Sequence, residues 1–223
     1  SRPWLRLPLR RGSAASSVAA LIALNAFLEP PLEYAFLAEF ALFGQVVASG
    51  SAHADNVAAA LHGGFTLTWK STPLHVLSLP IPPIHVVLVQ PDIELDPVIA
   101  RNNIPSQFNI RDVVDQTSHL ALLISAIHQQ DMNLLSESLI DVLIEPHRAK
   151  NVPGFHEAKD SAMESGAIGC SLAGHGPTMF ALTDDPSVAK RVEISMNQAF
   201  EDEGIHTHSW ITRISKQGAA LVG

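Results

Sequence analysis

The sequence predicts an α+β fold, in which helices and strands are mixed along the chain. The chain has 223 residues, of which 47% are hydrophobic and 16% charged, and this composition suits a globular protein with a substantial core. Apolar, alanine-rich stretches of helical length dominate the chain up to Ala48. Shorter β-branched stretches, set between prolines and glycines, come later and favour strands. No internal repeat or low-complexity tract is present.

Two helices are predicted at the start of the chain. Residues 13–28 open with serines, which cap helices, and Pro30-Pro31 ends the stretch. Residues 32–48 are apolar on nearly every side, so we expect a second helix that is buried all round. The prolines interrupt the apolar region, and neither half reaches the ~20 residues of a membrane span.

A shorter helix and a strand follow, and then a domain boundary. The third helix begins after His53 and ends before Gly63-Gly64, and residues 65–69 alternate like a strand. Residues 73–83 are rich in proline, which marks the boundary between two predicted domains. The sequence therefore predicts domains over 1–80 and 81–223.

The second domain mixes both kinds of element. The predicted strands cover 85–89, 209–215 and two segments of 168–182 on either side of a glycine turn. The predicted helices cover 110–129, 132–144, 155–165 and 187–203.

Charge and cysteine usage exclude several classes of protein. The net charge is −8, which disfavours a nucleic-acid binder because such a protein needs a basic face. The one cysteine, Cys170, rules out an intramolecular disulfide, and its apolar surroundings favour a buried inert thiol over a nucleophile. His206 and His208 have strand spacing, but a zinc site needs more ligands than these two. We expect a cytoplasmic protein, with a signal peptide at the arginine-containing N-terminus as the alternative.

A small-residue loop opens the first helix, with the sequence Pro-Leu-Arg-Arg-Gly-Ser-Ala-Ala-Ser-Ser over 8–17. Free amides and the positive end of the helix dipole at such a position attract anions, so the loop is a candidate phosphate site. An ordinary serine-capped helix is the alternative.

The segment over 49–58 carries polar side chains into the third helix. His53, Asp55 and Asn56 place an imidazole, a carboxylate and an amide at one point of the chain. This set of donors and acceptors suits an alcohol and an amine. The alternative is a helix that is merely capped by Asp55, beside a loop histidine.

Two arginines and a glycine turn complete the candidate residues. Arg101 follows the strand at 85–89, and Arg148 lies in the segment Glu-Pro-His-Arg. A guanidinium binds a carboxylate through two parallel hydrogen bonds, although each arginine alone could form a surface salt bridge. Gly174 and Gly176 flank His175 and permit a tight turn.

Together these segments resemble the motifs of homoserine kinases, which belong to the GHMP kinase superfamily. The resemblance extends from about Pro8 to the C-terminus, and it implies that a complete member has a further N-terminal portion ahead of these motifs. It implies a partial ribosomal-protein-S5-domain-2-like domain that binds ATP, followed by a ferredoxin-like GHMP kinase C-terminal domain. The chain departs from the family pattern where Arg10 and Arg11 replace glycine-loop residues and where Gln45 replaces a glutamate that binds magnesium.

The resemblance implies roles for individual residues. Asn56 contacts the hydroxyl to be phosphorylated, and Asp55 shares the catalytic role. The implied substrate-binding residues are His53, Asp55, Asn56, Arg101 and Arg148. The implied ATP-binding residues are Arg11, Gly12, Ser13, Ala14, Ala15 and Ser16, and the glycine loop is Gly174, His175 and Gly176. The implied magnesium positions are Ser13 and Gln45.

The implied activity is ATP-dependent phosphorylation of the side-chain hydroxyl of L-homoserine to O-phospho-L-homoserine, in threonine biosynthesis. Its cofactors are ATP and Mg²⁺ and its partners are L-homoserine and ATP, with a homodimer as an open possibility and no nucleic acid or membrane. Two alternatives remain: a catalytically impaired remnant that keeps an amino-acid pocket, and another small-molecule GHMP kinase. Two arginines suited to an α-amino acid argue against mevalonate or a sugar as the substrate.

Overall fold

A computed structural model describes residues 13–49, 52–71, 73–95 and 103–221. These residues form two compact units. The first comprises the described residues of Ser1–Ile81 and Ile214–Gly223, and the second comprises those of Pro82–Arg213.

The first unit is built from three helices and a two-stranded sheet. Its core consists of apolar side chains that the helices share, among them Val18, Leu37 and Val57, all fully buried. The sheet is antiparallel. The elements are α1 (Ser13–Asn25), α2 (Tyr34–Ser49), α3 (Ala54–His62), β1 (Phe65–Ser71) and β2 (Leu74–Leu79).

Helix α2 differs from its sequence prediction. It was expected to be buried on all sides, but only the face with Leu37, Ala38 and Ala41 is buried against the rest of the first unit. Phe40 and Phe43 on another side are 54% and 70% exposed. Hydrophobic composition therefore gave the wrong degree of burial, because it does not say how many neighbours a helix has.

The C-terminal tail returns to the first unit, which the sequence did not indicate. The Ala219 amide donates to the Ala60 carbonyl at 2.8 Å, and the Gly64 amide donates to the Ser215 carbonyl at 2.7 Å. Gly218 lies so close to α3 that an added Cβ would stand 2.1 Å from the Leu61 carbonyl oxygen. The tail therefore closes over the end of α3.

The second unit contains a four-stranded antiparallel sheet with helices packed on it. The strand order is β4-β5-β3-β6. With the helices that connect them, these strands follow the ferredoxin-like β-α-β-β-α-β path. The strands are β3 (His85–Pro91), β4 (Gly169–Leu172), β5 (Met179–Thr183) and β6 (Thr207–Arg213).

The helices of the second unit supply most of its core. Phe155, Met196 and Phe200 are fully buried against Val87 and Val89 of the central strand. The helices are α4 (Ile110–Gln129), α5 (Met132–Ser138), α6 (Glu145–Arg148), α7 (Phe155–Glu164) and α8 (Pro186–Asp202), with a 3₁₀ turn over Ala149–Asn151 after α6.

Two boundaries in this region differ from the sequence prediction. The helix predicted over 132–144 ends at Ser138, and a separate turn, α6, begins at Glu145. The Asp141 carboxylate accepts from the amides of Leu143 and Ile144, and this local capping breaks the helix. Strand β2 was not predicted, because the prolines around it suggested a linker.

Candidate functional site

The start of α3 carries the first group of predicted site residues. His53 is the residue before the helix and has an extended backbone, with φ −117° and ψ 90°. His53, Asp55 and Asn56 are all exposed, whereas Val57 and Ala58 are buried in the core. The apolar face of α3 therefore fixes the helix and leaves its first turn to present an imidazole, a carboxylate and an amide. The structure thus brings these three residues together on one turn.

Gln45 lies beneath this turn. Its side chain is only 1% exposed, and its Oε1 accepts a hydrogen bond of 2.8 Å from the His53 amide. The buried amide thereby links α2 to the entry of α3. A neutral amide whose oxygen already accepts a hydrogen bond fits Mg²⁺ poorly, because Mg²⁺ prefers carboxylate, phosphate and water oxygens.

The described ranges of the chain hold no cluster of three or more His, Cys, Asp or Glu that could hold a metal ion. Ser13, the other implied magnesium position, is the first residue of α1.

The predicted phosphate loop is described only from its helical end. Arg11 and Gly12 lie outside the described residues, and Ser13 begins α1. Ala14 is buried, while Ala15 and Ser16 are exposed. The first turn of α1 contains no acidic residue, so no carboxylate there opposes the positive end of the helix dipole. This helix start fits an anionic phosphate group.

Arg148 stands at the end of α6 in the second unit. Its Nη1 donates a hydrogen bond of 2.8 Å to the Gly174 carbonyl. Its Nε, although buried, has no hydrogen-bond partner among the described residues, and the same holds for Nδ2 of Asn151 on the following turn. Two donors without acceptors are what a carboxylate ligand would satisfy. Arg101, the second predicted arginine, lies outside the described residues.

The glycine loop forms a tight turn between β4 and β5. Gly174 and Gly176 have φ of +65° and +78°, in the left-handed region that favours glycine. The Ala173 amide donates to the Thr178 carbonyl at 2.8 Å and closes the turn. His175 is exposed at its tip. The structure therefore connects Arg148 to this turn through the Gly174 carbonyl.

Sequence reasoning did not identify Glu145, on the same turn as Arg148. Its two carboxylate oxygens bind Lys159 Nζ and Ser171 Oγ respectively. Glu145 is 11% exposed and Lys159 26% exposed. The only sequence signal was the Glu-Pro pair, which is typical of a helix start. Nothing in the sequence pairs this glutamate with a lysine and a serine on other elements.

Cys170 is a buried thiol. It is 1% exposed in the core of the second unit. Burial raises the pKa of the Cys170 thiol to about 12, which the nearby Lys159 opposes and Glu145 favours. A thiol that remains protonated at neutral pH is a poor nucleophile, which agrees with the predicted buried, inert thiol.

His206 and His208 are both exposed, and His208 Nε2 lies 3.8 Å from the Asp92 carboxylate. This is a surface contact between one histidine and one carboxylate. None of the helices described here is long and apolar enough to cross a membrane.

Comparisons with known proteins define the class first. Residues 11–64 match the family described as the GHMP kinases N terminal domain, and residues 123–202 match GHMP kinases C terminal. The chain therefore has the GHMP kinase fold, as the sequence predicted, and it is a phosphotransferase of this class.

Comparison with individual relatives identifies the family within this class. The chain is 40% identical to the homoserine kinase of Chlorobium phaeobacteroides (strain BS1), over 97% of this chain and 69% of that protein. It is 37% identical to the homoserine kinase of Chlorobaculum tepidum, over 97% of this chain and 68% of that protein. The crystal structure of homoserine kinase from Cytophaga hutchinsonii superposes with a TM-score of 0.91 at 35% identity, covering 96% of this chain and 69% of that one. The chain belongs to the homoserine kinase family.

Proposed function

We propose that this chain catalyses transfer of the γ-phosphoryl group of ATP to the side-chain hydroxyl of L-homoserine. The family membership supports this activity over the impaired remnant and over other small-molecule kinases of the same fold. The observation that carries the proposal within the chain is the exposed turn of His53, Asp55 and Asn56 on a helix whose apolar face is buried. O-Phospho-L-homoserine is an intermediate on the route from homoserine to threonine, which gives the proposed pathway.

The residues of α3 would orient the hydroxyl. Asn56 would hydrogen-bond the hydroxyl oxygen, Asp55 would accept its proton or hold it in line with the phosphate, and His53 would shape the pocket. Phosphoryl transfer passes through a loose transition state, so placing the hydroxyl accurately supplies much of the catalysis.

Arg148 would bind the α-carboxylate of homoserine. Its unpartnered Nε supports this role, since Nη1 already holds the Gly174 carbonyl and leaves the rest of the guanidinium for a ligand. Arg101 is proposed as the second carboxylate contact on the family resemblance. Asn151 Nδ2 is a further donor on the same turn.

The nucleotide would bind at the start of α1. GHMP kinases use ATP, and the first turn of α1, which contains no acidic residue, supports a phosphate site. The proposed contacts are Arg11, Gly12, Ser13, Ala14, Ala15 and Ser16, with Gly174, His175 and Gly176 as the glycine loop. We propose that Mg²⁺ enters bound to the ATP phosphates, and that position 45 would bind it well only as a carboxylate.

We also propose a cytoplasmic protein that binds neither nucleic acid nor membranes. The net charge of −8 supports the absence of nucleic-acid binding, because a nucleic-acid binder needs a basic face. A homodimer is the proposed assembly, and light scattering on the purified chain tests it. A mass equal to one chain at micromolar concentration would show that it is wrong.

A coupled assay of ADP formation tests the proposed reaction. With ATP and magnesium, homoserine is expected to stimulate ADP formation well above the rate seen with galactose or mevalonate. Equal rates with all three compounds would contradict the proposed substrate. A higher rate with galactose or mevalonate would favour the alternative of another GHMP small-molecule kinase.

A further inference from the structure

We propose that Lys159 and Ser171 are positioning residues for Arg148, because they engage Glu145 and keep its carboxylate from capturing the arginine. The inference rests on the proposed function, because it concerns how the arginine is kept available for a substrate carboxylate. Neither the family matches nor the sequence motifs assign a role to these three residues.

The first observation is that both oxygens of the Glu145 carboxylate are occupied. Lys159 Nζ from α7 binds Oε1, and Ser171 Oγ from β4 binds Oε2. With an exposure of only 11%, the carboxylate has little access to water. Its position is therefore set by these two partners.

The second observation is the spacing of Glu145 and Arg148 on the helical turn α6. Residues three apart on a helix face the same side, and a glutamate and an arginine at this spacing form an ion pair readily. In this structure Arg148 donates to the Gly174 carbonyl instead. Because Lys159 and Ser171 engage Glu145, the guanidinium remains unpaired with it.

The third observation is that α6 is tied twice to strand β4 and the turn that follows it. Glu145 binds Ser171 within β4, and Arg148 binds Gly174 just after that strand. A turn of only four residues has little stability of its own. The two links therefore hold the turn α6 beside this strand.

Charge balance supports the same role. Lys159 neutralises Glu145, so the positive charge of Arg148 remains available to an incoming anion. Removal of the lysine would leave a nearly buried carboxylate without a counter-ion. Arg148 is the arginine on the same turn, so we expect the carboxylate to turn to it.

The experiment measures homoserine binding to the full chain by titration calorimetry. Lys159→Met is expected to raise the Kd for homoserine about tenfold, as the loss of a charged hydrogen bond would do. Glu145→Gln in the same chain removes the charge that captures Arg148, and it is expected to restore the Kd to within about threefold of the wild type. Circular dichroism confirms that each variant is folded at the temperature used.

A milder variant keeps the test usable when Lys159→Met does not fold. Ser171→Ala frees only Oε2, and it is expected to raise the Kd about threefold, with rescue by Glu145→Gln. A purely structural role for the cluster predicts instead that the double variants bind no better than the single ones. The rescue therefore distinguishes positioning from general stability.

Glu193 supplies a matched control. It is 12% exposed, its Oε2 binds Lys190 Nζ at 2.5 Å, and its Oε1 accepts from Ser209 Oγ at 2.9 Å. The chemistry is the same, but the cluster lies on α8 and β6, away from the turn α6. Lys190→Met is expected to leave the Kd for homoserine unchanged.

The outcomes distinguish failure of the proposed kinase function from failure of the positioning role alone. Wild-type chain that does not bind homoserine overturns the proposed function, and the positioning role with it. Wild-type binding that Lys159→Met and Ser171→Ala leave unchanged overturns the positioning role alone. Loss of binding in Lys159→Met without rescue by Glu145→Gln also overturns it. Loss with rescue, and no effect of Lys190→Met, supports it.

Discussion

Among the described residues, the Arg148 guanidinium makes one hydrogen bond and has a further buried donor without a partner. Nη1 binds the Gly174 carbonyl, while Nε has no partner in the part of the chain that the structure describes. The sequence predicted a carboxylate-binding arginine at this position. It could not predict the glycine turn as the group that orients it, because this contact joins residues that are distant in sequence.

Replacement of Arg148 tests the carboxylate assignment. Arg148→Ala is expected to weaken homoserine binding by roughly 1.5–3 kcal/mol, the range for a hydrogen bond to a charged group. Titration calorimetry measures the change. Arg111→Ala, which removes an exposed arginine from α4, serves as the control and is expected to have no effect. An unchanged affinity in Arg148→Ala would show that the carboxylate binds elsewhere.

Replacement of Gln45 tests whether position 45 binds magnesium. Gln45→Glu is expected to raise the rate of ADP formation and to lower the magnesium concentration required, because Mg²⁺ prefers a carboxylate. A glutamate oxygen can still accept from the His53 amide, so the link between α2 and α3 is retained.

A magnesium titration of the initial rate measures the effect of Gln45→Glu. Glu39→Gln changes an exposed acid of the same helix and is expected to leave the rate unchanged. No gain in rate and no lower magnesium requirement in Gln45→Glu would mean that position 45 is not a metal position.

At the scale of secondary structure, the sequence predicted most elements but not their degree of burial. Helix α3 and strand β3 occur where local patterns placed them. Helix α2 has the expected length, but Phe43 and Val47 are exposed, because composition does not reveal how many neighbours cover a helix. Strand β2 was not predicted from the sequence. It is stabilised by pairing with β1, and its own sequence does not reveal this pairing.

The start of helix α8 makes a prediction about pH. The Asp185 carboxylate caps the helix by accepting from the Ser187 amide and hydroxyl, both at 2.7 Å. These hydrogen bonds lower the pKa of Asp185 below its usual value of 3.8. The carboxylate therefore stabilises the folded state above the unfolded pKa, and this contribution is lost as the pH falls through the lowered pKa of the folded state.

Thermal unfolding at several pH values measures this contribution. Asp185→Asn is expected to reduce the drop in Tm on acidification, since the amide cannot be protonated in this range. Asp184→Asn alters an exposed neighbour and is expected to keep the wild-type profile. Identical acid profiles for wild type and Asp185→Asn would show that the cap does not contribute through its charge.

At the scale of the whole molecule, the chain divides into two compact units, and its tail belongs to the first. The proline-rich stretch at 73–83 predicted a boundary, but no local pattern predicted that residues 214–221 would return to α3. Gly218 shows the reason: its contact with the Leu61 carbonyl depends on the fold of the entire chain. Such long-range contacts cannot be predicted from the local periodicity of the sequence.

Substitution at Gly218 tests this return. Gly218→Ala is expected to lower the Tm, because its Cβ would overlap the Leu61 carbonyl oxygen and displace the tail. Calorimetry of thermal unfolding measures the shift. Ala220→Gly changes one methyl group at an exposed position and is expected to have a much smaller effect. An unchanged Tm in Gly218→Ala would mean that the tail does not pack against α3 in solution.

The central claim is that this chain phosphorylates homoserine through the turn that carries Asn56. The most direct measurement is phosphorus NMR of the product formed from ATP and L-homoserine by the wild-type chain and by Asn56→Ala. We predict a phosphate monoester resonance of O-phospho-L-homoserine with the wild type. We predict a rate at least ~10²-fold lower with Asn56→Ala, as expected when a positioning contact to the reacting group is lost. Absence of the product with the wild type, or an equal rate with Asn56→Ala, would contradict this account.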